Sequence, residues 1–564
     1  MKLTRIIPLL LSCGALIATA TACEDMLDTT SNGYVFDDDH NLDSANDSLY
    51  SAMGILTQMQ ALGERYVMLG ELRGDLAEVP ATARVDYQNL SLFEPVGEDS
   101  PLLSRRDYYS VINNCNVALA RMDTTITEHG SQVMLPEYAA IRTMRDWTMF
   151  QIALAYGEVS YMDRPLLSVD DTAREFATVS LDDLVPRLIA DLEPFAERNT
   201  PDYGSVDGLQ AAKFFMSPAL LLADLCLYDG RYEQAARMYY KVIDDAGYTI
   251  NIDHANTWTT SVRAEAVKGH IETYSNEAVV ILPYASDAKK YHPDMVNITY
   301  NTKPGMVPAE WWVNDMNAAT HFHIDRLGIT NISGYLEGDL RGMFTDREGN
   351  TISSAFGYEP TNKVSTPLVM KYLTNGTSYS SVSNPGNPLL AETSAVLTRS
   401  IALARNPHLY LRYAEAVNRA GKPTLAFAVL KYGLRAEILD DETKVDPAEL
   451  ADGVEWTNFA DQKYNSNYGT AMRGRGLGIG IEQTSYVIPE GLDKDAVTEW
   501  VEERILEEMA AETAFEGNRF FDLLRISRHR ADHPAFMARQ IARRFDNPAR
   551  IEAKLADISN VWVR

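Results

Sequence analysis

A mainly α-helical body of paired helices, interrupted by a loop-rich excursion with short strands, is the fold class this 564-residue sequence predicts. Three observations predict it. Apolar residues recur at helical spacing from Leu49 to Ile243 and again after residue 400. Tyr228-Asp229-Gly230 and Gly421-Lys422-Pro423 each separate two helical patterns with almost no linker. The stretch between these regions is rich in Gly, Pro, Asn, Ser and Thr. At this length, 46% hydrophobic residues with 29 Tyr and 7 Trp are enough for one large core.

In chain order, Lys2 and Arg5 precede an apolar run from Ile6 to Ile17, and Ala20-Thr21-Ala22 supplies small residues just before Cys23. The run has signal-peptide length and is too short to span a bilayer. Its end resembles the lipobox of bacterial lipoproteins, so residues 1–22 are expected to be a signal peptide and Cys23 the acylated (palmitate-type) first residue of the mature chain. Residues 23–48, which include Asp37-Asp38-Asp39, are expected to form an acidic tether, because low apolarity and like charge disfavour folding. The glycine and terminal glutamate of a calcium loop are not at the required spacing there.

Residues 49–250 form the first helical region. Ala140, Met144, Trp147, Gln151 and Leu154, with Phe150 beside them, predict one broad buried stripe. A helix carrying Leu221, Leu222, Leu225 and Leu227 stops at Tyr228-Asp229-Gly230. The next carries Tyr232, Ala235, Ala236, Tyr239, Tyr240 and Ile243 on one side. Residues 251–564 are expected to pack with this region as one compact body. Their loop-rich part, 251–400, has strand-like runs at Ala278 to Leu282 and Leu368 to Tyr372. It also concentrates Trp258, Tyr284, Tyr300, Trp311, Trp312, Tyr358 and Tyr379. The helical part, 401–564, opens with Leu411, Ala414 and Ala416, turns at Gly421 and Pro423, and continues with Leu425, Ala428, Val429 and Tyr432. Short turns force each pair antiparallel, and small Ala at the contact lets the axes approach, as in a tetratricopeptide hairpin.

Several function classes are excluded or demoted. Without residues 1–22 the net charge is near −30, a field that repels nucleic acid and anionic membrane surface. Of four cysteines, only Cys115 and Cys226 are left to pair, and both lie in apolar helical sequence as small hydrophobes. Glu508, Glu512 and Glu516 line up at i, i+4 and i+8, but Arg504, Arg519 and Arg525 along the same segment predict a structural ion-pair ladder rather than a glycosidase pair. Asp522 and Arg525 read as a helix-surface pair that locks the C-terminal helices. His321, His323 and Asp325 alternate as metal ligands would on a strand, yet no metal is assigned. Gly474, Gly476, Gly478 and Gly480 lack phosphate-loop spacing, and no cofactor is expected.

The segment Glu512-Thr513-Ala514-Phe515-Glu516-Gly517-Asn518-Arg519-Phe520-Phe521-Asp522-Leu523-Leu524-Arg525 resembles the signature of RagB/SusD-type outer-membrane lipoproteins of Bacteroidetes. Further matches are Tyr413-Ala414-Glu415-Ala416-Val417-Asn418, Ser275-Asn276-Glu277, Gly338-Asp339-Leu340-Arg341, Ile112-Asn113-Asn114 with Asn116, and Tyr156-Gly157-Glu158-Val159. Glu24-Asp25 after the cysteine is similar to the surface-export signal of such lipoproteins.

The resemblance implies four tetratricopeptide-like hairpins and a shallow, loop-built ligand site. It implies a cell-surface lipoprotein without catalytic chemistry that captures an oligosaccharide or a peptide. A SusC-like TonB-dependent β-barrel transporter, over which the lipoprotein closes like a lid, is the implied partner. By family position the ligand-binding residues are Arg73 and Asp75, then Tyr87 and Gln88 in the following loop, then Trp311 and Trp312. Aromatic faces and polar side chains together are what sugars require. On a strand, adjacent Trp311 and Trp312 would face opposite ways and only one would stack. A lipid-anchored hydrolase of extracellular polymers and a helical-repeat protein adaptor are the alternatives.

Overall fold

Antiparallel helical hairpins, stacked side by side, make up most of the computed structural model, which describes residues 42–250, 277–324, 332–345, 351–357, 366–372, 398–450, 454–475 and 486–564, apart from positions 43, 98, 288, 354 and 399. Cys23, the Asp37–Asp39 cluster, Trp258, Asp325, Tyr358, Tyr379 and Gly476 to Gly480 lie outside the described residues. His321 and His323 do fall on a strand, Thr320–Ile324.

The first helix, α1 (Ala45–Met59), starts inside the stretch read as a tether. Ser44 caps it, its hydroxyl accepting from the Asp47 N–H at 3.2 Å, which satisfies one of the otherwise orphan donors of the first turn. Then follow α2 (Gly63–Glu71), α3 (Val85–Ser91), α4 (Arg106–Arg121), α5 (Leu135–Tyr156) and α6 (Leu181–Leu192). Next come the hairpin α7 (Pro218–Tyr228) and α8 (Tyr232–Ala246). Ser217 caps α7 with Pro218 in its first turn, and Gly230, at φ 78°, makes the reversal that the Asp-Gly pair predicts. After the excursion, α10 (Asn406–Arg419) and α11 (Pro423–Lys431) repeat the design around Gly421, at φ 81°.

The two hairpins are far apart in sequence but adjacent in space, because α8 packs on α10. The feet of the excursion are zipped together by an antiparallel pair, β2 (Ala278–Pro283) with β6 (Ser400–Arg405), buried along both strands. A long departure from the helical stack therefore leaves and re-enters at one point. The chain closes with α12 (Thr470–Arg475), α13 (Lys494–Thr513), α14 (Arg519–Arg528), α15 (Ala535–Ala542) and α16 (Pro548–Leu555). The strands are short and pair two by two, so the core belongs to the helices.

Helix α5 departs from the expected single stripe: it is buried almost all round, because α1, α4, α6 and α7 all pack against it. Its polar residues must then find partners inside. Arg145 Nε donates to Asp146 Oδ1 at 3.0 Å, and Arg142 reaches Asp191 on α6 at 2.7 Å. Burial pushes the Asp146 carboxyl up to about 8, Arg145 opposing and Asp191 reinforcing the shift. A carboxyl whose pKa is higher in the folded chain stabilises fully below its unfolded value of about 4, and that stability is lost as pH rises toward 8. Asp146→Asn mimics the protonated group. Its urea midpoint should fall less than that of the unsubstituted protein between pH 5 and 9; parallel pH profiles would refute this.

The glutamate ladder is structural, as expected, but its partners differ from those the sequence suggested. Arg341 pairs with Asp339 and Glu508, both at 2.8 Å, and Arg473 with Glu277 at 2.6 Å and Glu512 at 2.9 Å. Arg405 bridges Glu277 and Glu516, and Lys371 Nζ lies 2.7 Å from Glu516. Arg504 instead pairs with Glu507, Arg519 with Asp75, and Arg525 with Glu415 and Asp522. The Asp522–Arg525 pair, expected on a helix surface, is buried. Cys115 and Cys226 are buried free thiols.

Candidate functional site

Two short segments meet where β1 (Ala77–Glu78) pairs antiparallel with β3 (Val307–Pro308). The pairing brings the loop after α2 against the start of α9 (Glu310–Ala318). Ala309 offers α9 no capping side chain, so Glu78 supplies it from the neighbouring strand, its carboxylate accepting the Glu310 N–H at 3.0 Å. Trp311 and Trp312 are thus on a helix, about 100° apart around its axis. Trp312 points into the core, with its ring 4.9 Å from that of Phe356 and 5.5 Å from that of Phe515. Trp311 is half-buried at the surface.

The Trp311 indole N–H donates to the Asp75 backbone carbonyl at 2.8 Å, and the Arg543 guanidinium lies 5.0 Å from the ring centroid. Around it is a pocket of about 390 Å³ lined also by Asp315, Arg475, Arg504, Glu507 and Gln540. Asp315 stands one turn after Trp311 on α9. Arg504 and Glu507 come from α13 and pair at 2.5 Å. Burial pushes the Glu507 carboxyl up, against the pull of Arg504. Arg475 is lowered by burial, but Glu508 and Asp339 more than offset this and hold its guanidinium above the usual range. The pocket therefore offers an aromatic platform with hydrogen-bond donors and acceptors of both charges.

The other residues assigned by resemblance support this region from within. Asp75 is fully buried and grips Arg519 through both oxygens, at 2.6 and 2.9 Å. Arg73, 1% exposed, donates to the Leu69 and Val561 carbonyls and lies 3.9 Å from the Phe520 ring centroid. Burial pulls its pKa down to about 9. Tyr87 is buried under Arg84, whose guanidinium is 4.7 Å from its ring. Gln88 donates to the Ala81 and Ala83 carbonyls, fixing the preceding turn. The structure thus joins Asp75 to Trp311, with Trp312 next to it on α9, while Arg73, Asp75, Tyr87 and Gln88 do not line the pocket. Arg543, Gln540, Asp315 and Arg475 were not found from sequence. Only Asp315 left a local signal, its i+4 spacing from Trp311.

No family model and no curated protein matches the chain. Solved structures match along most of its length. A SusD superfamily protein from Bacteroides vulgatus is 14% identical with a TM-score of 0.55, over 91% of this chain and 93% of that one. A SusD superfamily protein from Bacteroides thetaiotaomicron is 15% identical with a TM-score of 0.53, over 92% and 94%. A SusD-like carbohydrate binding protein from Bacteroides vulgatus is 14% identical with a TM-score of 0.51, over 86% and 84%. Identity this low speaks for shared architecture alone. The chain has the fold of the SusD superfamily, as its RagB/SusD-like segment from Glu512 to Arg525 led one to expect.

Proposed function

We propose that this protein captures a neutral oligosaccharide in the Trp311 pocket, is held outside the outer membrane by an acylated Cys23, and passes its ligand to a SusC-like TonB-dependent β-barrel transporter. The observation that carries the ligand reading is Trp311 itself: a half-buried indole, fixed by a hydrogen bond, in a pocket with guanidinium, carboxylate and carboxamide groups around it. A sugar stacks its apolar face on such a ring while its hydroxyls donate to carboxylates and accept from guanidinium and amide. The likeness to a carbohydrate-binding protein supports the same class.

The pocket lining carries both charges, Arg475, Arg504, Arg519 and Arg543 beside Asp315, Glu503 and Glu507, so it is the strongly acidic chain as a whole that disfavours uronate-rich glycans. Hydrolysis has no support from the glutamate ladder, since Glu508, Glu512 and Glu516 are buried and paired with cations. Calorimetry against neutral hexasaccharides (malto-, cello-, xylo- and manno-series) and hexagalacturonate tests the reading. At least one neutral oligomer should bind more tightly than the uronate, and Trp311→Ala should weaken it about tenfold or more, the worth of one stacked ring. Cells carrying Trp311→Ala should grow more slowly on that glycan, and Cys23→Ala should release the protein from the membrane fraction. Binding of peptides but of no saccharide would sink the proposal.

A further inference from the structure

The loop that carries Asp75 is held by two C-terminal arginines, Arg519 at the start of α14 and Arg544 in the turn between α15 and α16. Arg544 donates to the Leu72 and Ser91 carbonyls at 2.8 and 2.9 Å and to that of Ala77. Arg519 forks onto the Asp75 carboxylate and spends a third N–H on the Leu506 carbonyl, 2.8 Å away on α13. Its side chain lies flat over Gly74, where a Cβ would sit 3.0 Å from Arg519 Cγ. Asp75 in turn uses its backbone carbonyl to accept the one N–H of the Trp311 indole. One residue therefore couples a buried, bidentate ion pair to the orientation of the pocket's aromatic ring. Leu506 and Arg519 both line that pocket as well.

We infer that Arg519 is a positioning residue for the pocket: through Asp75 it fixes the carbonyl that holds the Trp311 ring, and so presets the platform on which a ligand stacks. The ligand part of this inference rests on the reading of the pocket as the binding site. Arg519→Lys keeps the charge but cannot form two parallel bonds to a carboxylate and also reach Leu506. The Asp75 carbonyl then moves, and the indole loses a well-aligned acceptor.

The test uses the whole mature chain labelled with 5-fluorotryptophan, with the Trp311 resonance assigned by its loss in Trp311→Phe. Arg519→Lys should shift or split the Trp311 fluorine signal. It should also lower affinity for the tightest-binding neutral hexasaccharide about tenfold, the usual scale for a misplaced supporting group. Arg525→Lys is the control, because Arg525 is similarly buried and bidentate, on Glu415, and its hydrogen bonds among the described residues go to Glu415 and Asp522 rather than to the Asp75 loop. It should lower the melting temperature comparably and leave the Trp311 signal in place. Asp75→Asn, which keeps the shape and one acceptor, serves if Arg519→Lys does not fold. A Trp311 signal unmoved by either pocket variant, or moved as much by Arg525→Lys, overturns the positioning role. A moved signal with unchanged saccharide affinity overturns instead the assignment of the pocket as the ligand site.

Discussion

Gly70→Ala should destabilise the protein by at least about 4 kcal/mol, a loss reserved for severe steric or polar failures, although alanine is the better helix former. Gly70 lies within α2, and an ideal Cβ on it would sit 1.8 Å from the Gly517 carbonyl oxygen and 2.3 Å from its carbon. Neither side has room to withdraw. Gly517 is in the left-handed region at φ 92°, and a Cβ there would meet the Tyr66 ring at 2.8 Å and Val67 Cα at 2.9 Å.

The turn is also bolted to α2 by polar contacts. The Gly517 N–H donates to Glu71 Oε1 at 2.7 Å, and the Tyr66 hydroxyl to Asn518 Oδ1 at 2.8 Å. Arg519 follows at once, locked onto Asp75. Backbone against backbone is the contact that rotamer changes cannot relieve. Gly54→Ala on α1 is the matching control, since nothing lies within 4 Å of its missing Cβ. It should stabilise by about 0.5–1 kcal/mol through helix propensity and a less disordered unfolded chain. Urea denaturation followed by circular dichroism reads both; equal effects of the two substitutions would refute the close-approach argument.

That contact marks the boundary of what the sequence disclosed. Hairpins α7–α8 and α10–α11 were legible because apolar spacing and the punctuation at Gly230 and Gly421 are local properties, and the structure keeps both. The β2 strand was legible for the same reason, as a short apolar run. The full burial of α5 was not, since which sides of a helix are covered depends on how many neighbours arrive. Trp311 and Trp312 were compared as strand residues because nothing beside them says helix; the cap comes from Glu78, a residue distant in sequence. Likewise the arginines nearest the glutamate ladder in sequence were natural partners by helical spacing. The observed partners Arg341, Arg405 and Arg473 come from a loop, a strand and another helix that only the tertiary fold brings in. Asp75 was flagged by resemblance as a ligand contact; in the structure it holds Trp311 with its carbonyl and Arg519 with its carboxylate, contacts between segments distant in sequence.

Glu512→Gln should cost about 3–5 kcal/mol at neutral pH, the range for removing one partner of a buried ion pair. The reason is the number of cations that Glu512 serves. Its Oε1 is 2.9 Å from Arg473 and 3.4 Å from Arg405, and its Oε2 3.4 Å from Arg341. Its backbone carbonyl, near the C-terminus of α13, accepts from Arg405 and Lys371 as well. An amide of the same shape leaves the packing intact and withdraws the charge that makes these buried guanidinium groups tolerable. Burial alone would raise this carboxyl, but Arg473, Arg405 and Arg341 outweigh it and hold the group well below the usual carboxylate range.

The sign of the pH dependence follows. A carboxyl depressed in the folded state contributes fully above its unfolded value of about 4.5, and that contribution is lost as pH falls below it. The stability gap between the two proteins should therefore be widest from about pH 5 to 8 and narrow at lower pH, by up to about 1.4 kcal/mol per unit. Glu507→Gln, on the same helix but with a 48% exposed side chain paired, among the described residues, with Arg504 alone, should change stability by under about 1 kcal/mol. Equal costs for the two substitutions, or a Glu512→Gln gap that stays constant down to pH 3, would show that the buried charges are balanced by something other than Glu512.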